Sequence, residues 1–418
     1  MNEKIEMNTE PSLLDLLGLK ESWEEFYQYK TSLVCSKREK KELEKFILSG
    51  SYLDVCEKIK SGKGLSFPKK SVISKLSSNK KRTVYTYPPE ENMVLKLLTW
   101  IVLRYFDYLF SDGLFSFRPQ KTAKLAIRRL QSEKELFKFH AYKLDVSNYF
   151  NSVPVDSMTE KLEECVKPKD IRLFAFLKGM LENPYVYENG RIKEEKKGIM
   201  AGTPIASFFA NLYLRDLDLL YDQRIEENPE NRIIYSRYSD DIIIFCKNRE
   251  VLEKEAQNIK KYLSEAGLKV NPEKEEFFTP DEGWIFLGFS YRKGVIDIAP
   301  VTLKKLKAKM RRKMRALIRW GRRNGLEPER SAKAFIRVFN RKLLESPKDN
   351  ELSWAYWFFP VINTTTSLEI IDHYAQQCIR TILTGKNNKS RYNARYNELK
   401  NLGYRSLVHE YYSLEQKS

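Results

Sequence analysis

Four residues, Tyr238-Ser239-Asp240-Asp241, set two carboxylates side by side between Ile233-Ile234-Tyr235 and Ile242-Ile243-Ile244-Phe245. Both flanks are β-branched or aromatic, so they read as two strands joined by a tight turn. Adjacent acids at a hairpin tip repel each other and are costly to hold there without a cation between them. A divalent-metal nucleotidyl transferase needs such a pair. A plain surface turn has the same composition, so a further acid from another element decides the matter. The segment Tyr142-Lys143-Leu144-Asp145-Val146-Ser147-Asn148-Tyr149-Phe150 offers one, a single acid within a short apolar strand. An acid there is expensive unless paired or metal-bound, and a structural salt bridge is the alternative for Asp145 taken alone. Together, Asp145, Asp240 and Asp241 could hold two Mg²⁺ ions about 4 Å apart, with Mn²⁺ as a substitute. One ion would activate a primer 3′-hydroxyl, and the other would bind a triphosphate and its leaving pyrophosphate.

The surrounding sequence must position these acids. Strand and helix patterns alternate from 139 to 287, an α/β region. Before it, 13–29 and 38–48 look helical, Gly62-Lys63-Gly64 and Pro68 mark a break, and 69–82 is basic and Ser-rich. Thr83-Val84-Tyr85-Thr86-Tyr87 reads as a strand, and 90–110 as an apolar helix. After Pro300 the pattern turns helical and basic. From 304 to 323 no acid interrupts the cations, which include Lys304, Lys305, Arg311, Arg312, Arg315 and Arg319. Leu303, Leu306, Met310, Met314, Leu317 and Ile318 recur at helical spacing, so this is an amphipathic helix with a basic face. Without acids to form i,i+4 pairs, that face suits a phosphate backbone better than plain solvation.

The formal charge of +18 over 418 residues points the same way. The five cysteines are scattered, with no C-x-x-C pair, and only three His occur, which leaves little for a disulfide framework or a zinc site. No apolar run of about 18 residues and no signal-peptide pattern is present, so a cytoplasmic protein with no membrane partner is expected.

In order along the chain, further motifs accumulate. Lys80-Lys81-Arg82-Thr83-Val84 is followed by Pro88-Pro89, and then by Phe115-Ser116-Phe117-Arg118-Pro119. After Asp145–Phe150 come Gly198-Ile199-Met200-Ala201-Gly202-Thr203-Pro204-Ile205-Ala206-Ser207 and Asn211-Leu212-Tyr213-Leu214. Beyond the aspartate pair lie Gly267-Leu268-Lys269-Val270-Asn271-Pro272-Glu273-Lys274 and Phe286-Leu287-Gly288-Phe289. This series resembles the reverse transcriptases of the bacterial lineage that includes group II intron, retron and abortive-infection enzymes. The C-terminal block more loosely resembles stand-alone defence-associated members.

The resemblance implies an α+β, right-hand polymerase fold. Residues 1–66 would be a helical N-terminal segment, 67–296 fingers and palm, 297–345 a basic helical thumb, and 346–418 a helical C-terminal extension. It assigns Asp145, Val146, Asp240 and Asp241 to the metal site and Lys274 to protonation of leaving pyrophosphate. Arg82 and Arg118 would contact the triphosphate through their bidentate forks, with a fold-stabilising pair as the alternative for each. Phe150 would pack on the sugar and exclude a 2′-hydroxyl, with simple core packing as the alternative for it, a role open to Tyr149 instead. Gly202, Thr203 and Pro204 would border the nucleotide, although any surface loop could use them. Ala201 departs from the group II intron pattern, which has Gln there.

The expected function is RNA-directed DNA synthesis from dNTPs, with a non-coding RNA as partner, cDNA as product and antiphage defence as the biological role; a homo-oligomer is not indicated. Template-independent or protein-primed DNA synthesis is one alternative. An RNA-binding scaffold with a vestigial site is another, which the intact set of acids disfavours. His373, within Asp372-His373-Tyr374, is read as a hydrogen-bonded structural residue rather than a catalyst.

Overall fold

The computed structural model describes residues 11–33, 35–74, 81–227, 229–345 and 354–415, and Lys80 lies outside them. Its strands are β1 (Lys69–Ser74), β2 (Lys81–Thr86), β3 (His140–Asp145), β4 (Tyr185–Glu188), β5 (Arg191–Glu194), β6 (Ile234–Tyr238), β7 (Asp241–Cys246), β8 (Glu276–Phe278), β9 (Trp284–Phe286), β10 (Phe289–Arg292) and β11 (Val295–Ile298). They form three sheets, ordered β6-β7-β3-β8, β2-β1-β4-β5 and β11-β10-β9. The architecture is mixed α+β. The chain divides into one unit of Met1–Lys30, Lys40–Ala123 and Tyr142–Phe277, and a second of Thr31–Glu39, Lys124–Ala141 and Phe278–Ser418.

The first unit is built around β6-β7-β3-β8. Ile242, Ile243, Ile244 and Phe245 of β7 are all buried, as expected for a strand covered on both faces. Helix Arg249–Glu265 packs on β7 through Leu252, Ala256, Ile259 and Leu263, at i, i+4, i+7 and i+11. Asn248 caps it by accepting from Glu250 N at 2.7 Å. Helix Ile171–Glu182 is capped by Asp170, which accepts from Leu173 N at 2.8 Å and also from Leu13 N at 2.7 Å. One carboxylate thus starts a helix and anchors the N-terminal residues. Those residues do not form a single helix over 13–29: a 3₁₀ turn, Asp15–Gly18, precedes helix Lys20–Ser32.

β1, β4 and β5 were not legible as strands because they bury little, and β5 is exposed throughout. The turn between β4 and β5 did carry a signal. Asn189 and Gly190 both have positive φ, 51° and 83°, as a type I′ hairpin requires.

In the second unit, helix Pro300–Arg323 packs on Pro328–Leu343 and Thr366–Thr384. The helices approach closely at Gly321, where a Cβ would displace Ser331 Oγ. Asp372 is buried in helix Thr366–Thr384 and accepts from Tyr404 OH at 2.7 Å, Ser406 Oγ at 2.6 Å, Leu407 N at 2.9 Å and Val408 N at 3.2 Å. It therefore caps helix Leu407–Glu415. His373 contacts Gln377 at 2.6 Å. No helix among the described residues is long and apolar enough to cross a membrane.

Candidate active site

β6 and β7 pair antiparallel as far as Tyr238 and Asp241, leaving Ser239 and Asp240 as a two-residue turn. Ser239 has φ of +60°, a conformation that ordinarily favours glycine. A buried polar scaffold holds it there. Ser239 N donates to Ser116 Oγ at 2.9 Å, and Ser116 Oγ donates to Asn211 Oδ1 at 3.0 Å. Asn211 Nδ2 returns a bond to Ser116 O at 2.8 Å. Arg237 Nη1 donates to Ser239 O at 3.2 Å and Nη2 to Asn211 O at 3.1 Å. The same guanidinium grips Asp218 through Nε (2.7 Å) and Nη2, and Tyr235 OH reaches Asp218 at 2.7 Å. The Arg237 and Asp218 side chains are both 0 % exposed. Such a pair is stable only with its remaining polar groups largely satisfied, and here four of the five guanidinium N–H groups have acceptors.

Asp145 ends β3 and is 4 % exposed. Its carbonyl accepts from Asn271 N at 2.8 Å, while Val146 N donates to Asp240 O at 3.1 Å. These backbone ties bring Asp145, Asp240 and Asp241 together, with one ligand oxygen of each within 4.8 Å of the others. Burial, then the charge of Asp145, raises the pKa of Asp240. Burial, then Asp240 and Asp145, pushes Asp241 up to about 7. Lys274 pairs with Asp145. Burial works against its ammonium, but the bond to Asp145 and the charges of all three acids outweigh this and raise its pKa. Asn271 Nδ2 also donates to Asp145 Oδ1, at 3.3 Å. Converging carboxylates that repel one another are a fit donor set for a hard divalent cation.

Other expected residues fall in varied places. Arg82 is exposed on β2 and lowers the pKa of Asp240 by its charge. Arg118 has only 5 % of its side chain exposed, and its fork is turned inward. Nε and Nη2 donate to Asp107 carboxylate oxygens at 2.7 and 3.1 Å, Nη2 to Asp107 O at 3.3 Å, and Nη1 to Ser111 O and Leu114 O. All five N–H groups are thereby engaged within its own loop, which leaves none directed at a triphosphate.

Tyr149 is buried and donates to Ala210 O at 2.6 Å, whereas Phe150 is half-buried and meets it edge-on at 5.7 Å. Gly202, with φ of +99°, lies against β2: a Cβ there would stand 3.1 Å from Tyr85 O. Tyr85 N donates to Ala201 O at 2.7 Å, and buried Thr203 donates to Met200 O at 2.9 Å. Pro204 O accepts from Ser207 Oγ at 2.9 Å, at the start of helix Ala206–Tyr213. Gly202 therefore permits close approach of β2 to this loop. In the second unit, Lys304, Lys305, Arg311, Arg312, Arg315 and Arg319 are all exposed on helix Pro300–Arg323.

Sequence reasoning missed the scaffold behind the turn. Arg237 carried a signal: a cation within the buried strand Ile234–Tyr238 is as costly as Asp145 in its strand, and demands a partner.

No curated protein matches the chain. Among solved structures it is similar to apo telomerase from Candida tropicalis, at 12% identity over 84% of this chain and 70% of that one, with a TM-score of 0.47. A second similar structure is the same telomerase truncated from its C-terminal domain, at 13% identity and a TM-score of 0.45. The match covers 60% of this chain and 60% of the truncated one. A family model described as reverse transcriptase (RNA-dependent DNA polymerase) matches residues 68–291, more than half of the chain and the span that carries all three aspartates. This chain therefore belongs to the reverse transcriptase family, with its right-hand polymerase fold.

Proposed function

We propose that this protein is an RNA-directed DNA polymerase that extends a primer from dNTPs at Asp145, Asp240 and Asp241. The observation that carries the reading is the convergence of three carboxylates, from the end of β3 and the β6-β7 turn, on one point. Asp145, Asp240 and Asp241 would hold divalent cations such as Mg²⁺, which would supply Lewis acidity toward a primer hydroxyl and charge neutralisation for a triphosphate. The protein's own part is to hold the acids rigidly, through Ser116, Asn211 and Arg237, so that no reorganisation is needed at the moment of reaction. Lys274, which pairs with Asp145, would exchange it for the leaving pyrophosphate and give that group a proton. Arg82, whose charge reaches Asp240 and which is exposed, is the better fingers contact for a triphosphate than inward-turned Arg118. Phe150, whose carbonyl accepts from Ile199 N at 2.8 Å in the segment that leads to Gly202, Thr203 and Pro204, is proposed to select deoxynucleotides, and the Val146 main chain to border the metals. The exposed cations of helix Pro300–Arg323 would hold the duplex by its phosphates.

A non-coding RNA template and a role in bacterial antiphage defence belong to the same proposal, and rest on the sequence resemblance alone. The test is Mg²⁺-dependent dNTP incorporation on a primed RNA by the wild type and by Asp240→Ala/Asp241→Ala. Equal incorporation by both would refute the site.

A further inference from the structure

The first unit also contains a basic cavity that uses none of the triad. It measures about 500 Å³ and lies among Leu14, the loop after helix Tyr52–Lys60, and helix Ile171–Glu182. Its charged lining is Lys60, Lys63, Arg172 and Lys197, with no Asp or Glu. The Arg172 charge is answered by Asp15, through bonds of 2.8 and 2.9 Å. Lys60 and Lys63 are exposed.

Lys197 is different. It is 2 % exposed, and its Nζ has no hydrogen-bond partner among the described residues. Burial alone pulls its pKa down to about 8. The other buried cations among the described residues do have acceptors: Arg237 has Asp218, and Arg380 donates to Ala394 O at 2.9 Å. A lysine buried only for packing would be replaced without loss by Met or Leu, since an unpaired buried ammonium costs several kcal/mol. An orphaned ammonium lining a cavity of small-molecule size is instead what an anion site looks like without its anion.

We propose that this cavity binds a phosphomonoester of mononucleotide size. Its phosphate would lie on Lys197, Lys60 and Lys63, and its organic part on the apolar wall that includes Phe176 and Met180. Three cations without acid partners in the lining suit a group that carries a charge of about −2 near neutral pH better than a carboxylate. Lysine meets phosphate as a point charge, with no need for a planar fork.

Isothermal titration of the full chain with AMP, inorganic phosphate and adenosine tests this. EDTA is included so that no divalent ion can bridge phosphate to the acidic triad. AMP is expected to bind, inorganic phosphate to bind more weakly, and adenosine not to bind. Lys60→Met and Lys63→Met, at exposed positions, should each weaken AMP about tenfold, and Lys197→Met about a hundredfold. Asp240→Asn/Asp241→Asn should leave AMP binding unchanged, which separates this site from the polymerase reading. No AMP binding at millimolar concentration would overturn the proposal, as would binding indifferent to all three lysines or lost with the triad. A 5′-phosphorylated tetranucleotide supports it either way: affinity equal to that of AMP identifies a nucleic-acid end as the source, and weaker affinity a free nucleotide.

Discussion

Acids held away from solvent occur at two places in this molecule where their neighbours treat them in opposite ways. In the second unit Asp372 receives four donors, from Tyr404, Ser406, Leu407 and Val408. In the first unit Asp145, Asp240 and Asp241 face one another, and burial with mutual repulsion raises the pKa of the latter two. An acid met only by donors holds the fold, whereas acids turned on each other, with Lys274 and Asn271 bonded only to Asp145 of the three, store a demand for a cation. Two groups of similar composition are thus separated by what their neighbours do, which composition alone does not show.

The largest effect should come from neutralising the triad. Asp240→Asn or Asp241→Asn is expected to reduce dNTP incorporation by about 10³-fold or more, since several kcal/mol of transition-state stabilisation pass through these oxygens. The same changes should leave the metal-free melting temperature unchanged or raise it, because they relieve repulsion. Asp372→Asn should do the reverse and lower stability by about 2 kcal/mol through its lost charge-assisted bonds. A triad variant that unfolds, or an Asp372 variant that melts like the wild type, would erase the contrast.

A second test lies within the first unit, where Arg237 and Asp218 form a charge-compensated buried pair that holds the turn carrying Asp240. Arg237→Met or Asp218→Asn should each cost about 3–5 kcal/mol in urea unfolding, because each strands a buried partner. The double variant Arg237→Met/Asp218→Leu should recover much of that loss. If it recovers stability but not incorporation, the pair serves to aim the turn. Full recovery of both would reduce it to packing.

Much of this site was legible in the sequence, for physical reasons. Asp240 and Asp241 lie between two β-branched runs, and Asp145 interrupts an apolar strand, so each announces an energetic problem locally. The scaffold was not legible, because Ser116, Asn211, Asp218 and Arg237 solve one another's burial across long separations in sequence. Arg118 shows the converse. Its F-R-P setting suggested an outward fork, but Asp107 and the carbonyls of Ser111 and Leu114 use every donor. Among the elements, the apolar hairpin β6-β7 was evident, while the exposed strands β1, β4 and β5 offered little period to read.

Titration provides a smaller and more graded test of the contrast. Asp241 has its folded pKa raised from the ordinary carboxylate value to about 7. The folded state thus binds this proton more tightly than the unfolded state. The associated stability is fully present below the unfolded pKa, near 4, and is lost as pH rises through about 7. In EDTA, the triad should therefore make the chain less stable at pH 8 than at pH 5, by about 2 kcal/mol. Mg²⁺ should cancel that loss, and the Mg²⁺ concentration needed should rise as pH falls below about 7, where protons compete for the same oxygens. Melting curves at several pH values with and without Mg²⁺ measure both effects, and Asp241→Asn should flatten the metal-free profile.

The smallest expected effect concerns the turn itself. Ser239 combines a left-handed φ of +60° with a buried Oγ that has no partner among the described residues. Glycine would remove both penalties, of about 1 kcal/mol each, and would add back part of that in unfolded-state entropy. Ser239→Gly should therefore stabilise the chain by about 0.5–1 kcal/mol in urea unfolding. The backbone bonds from Ser239 N to Ser116 and from Arg237 to Ser239 O need no side chain, so the acids should stay in place and incorporation should stay within about twofold. A stabilised variant with much reduced incorporation would show that the acids depend on rigidity of the serine turn beyond its hydrogen bonds. A destabilised variant would mean that the Ser239 side chain is not the strained element, and that the demand for a cation resides wholly in the carboxylates.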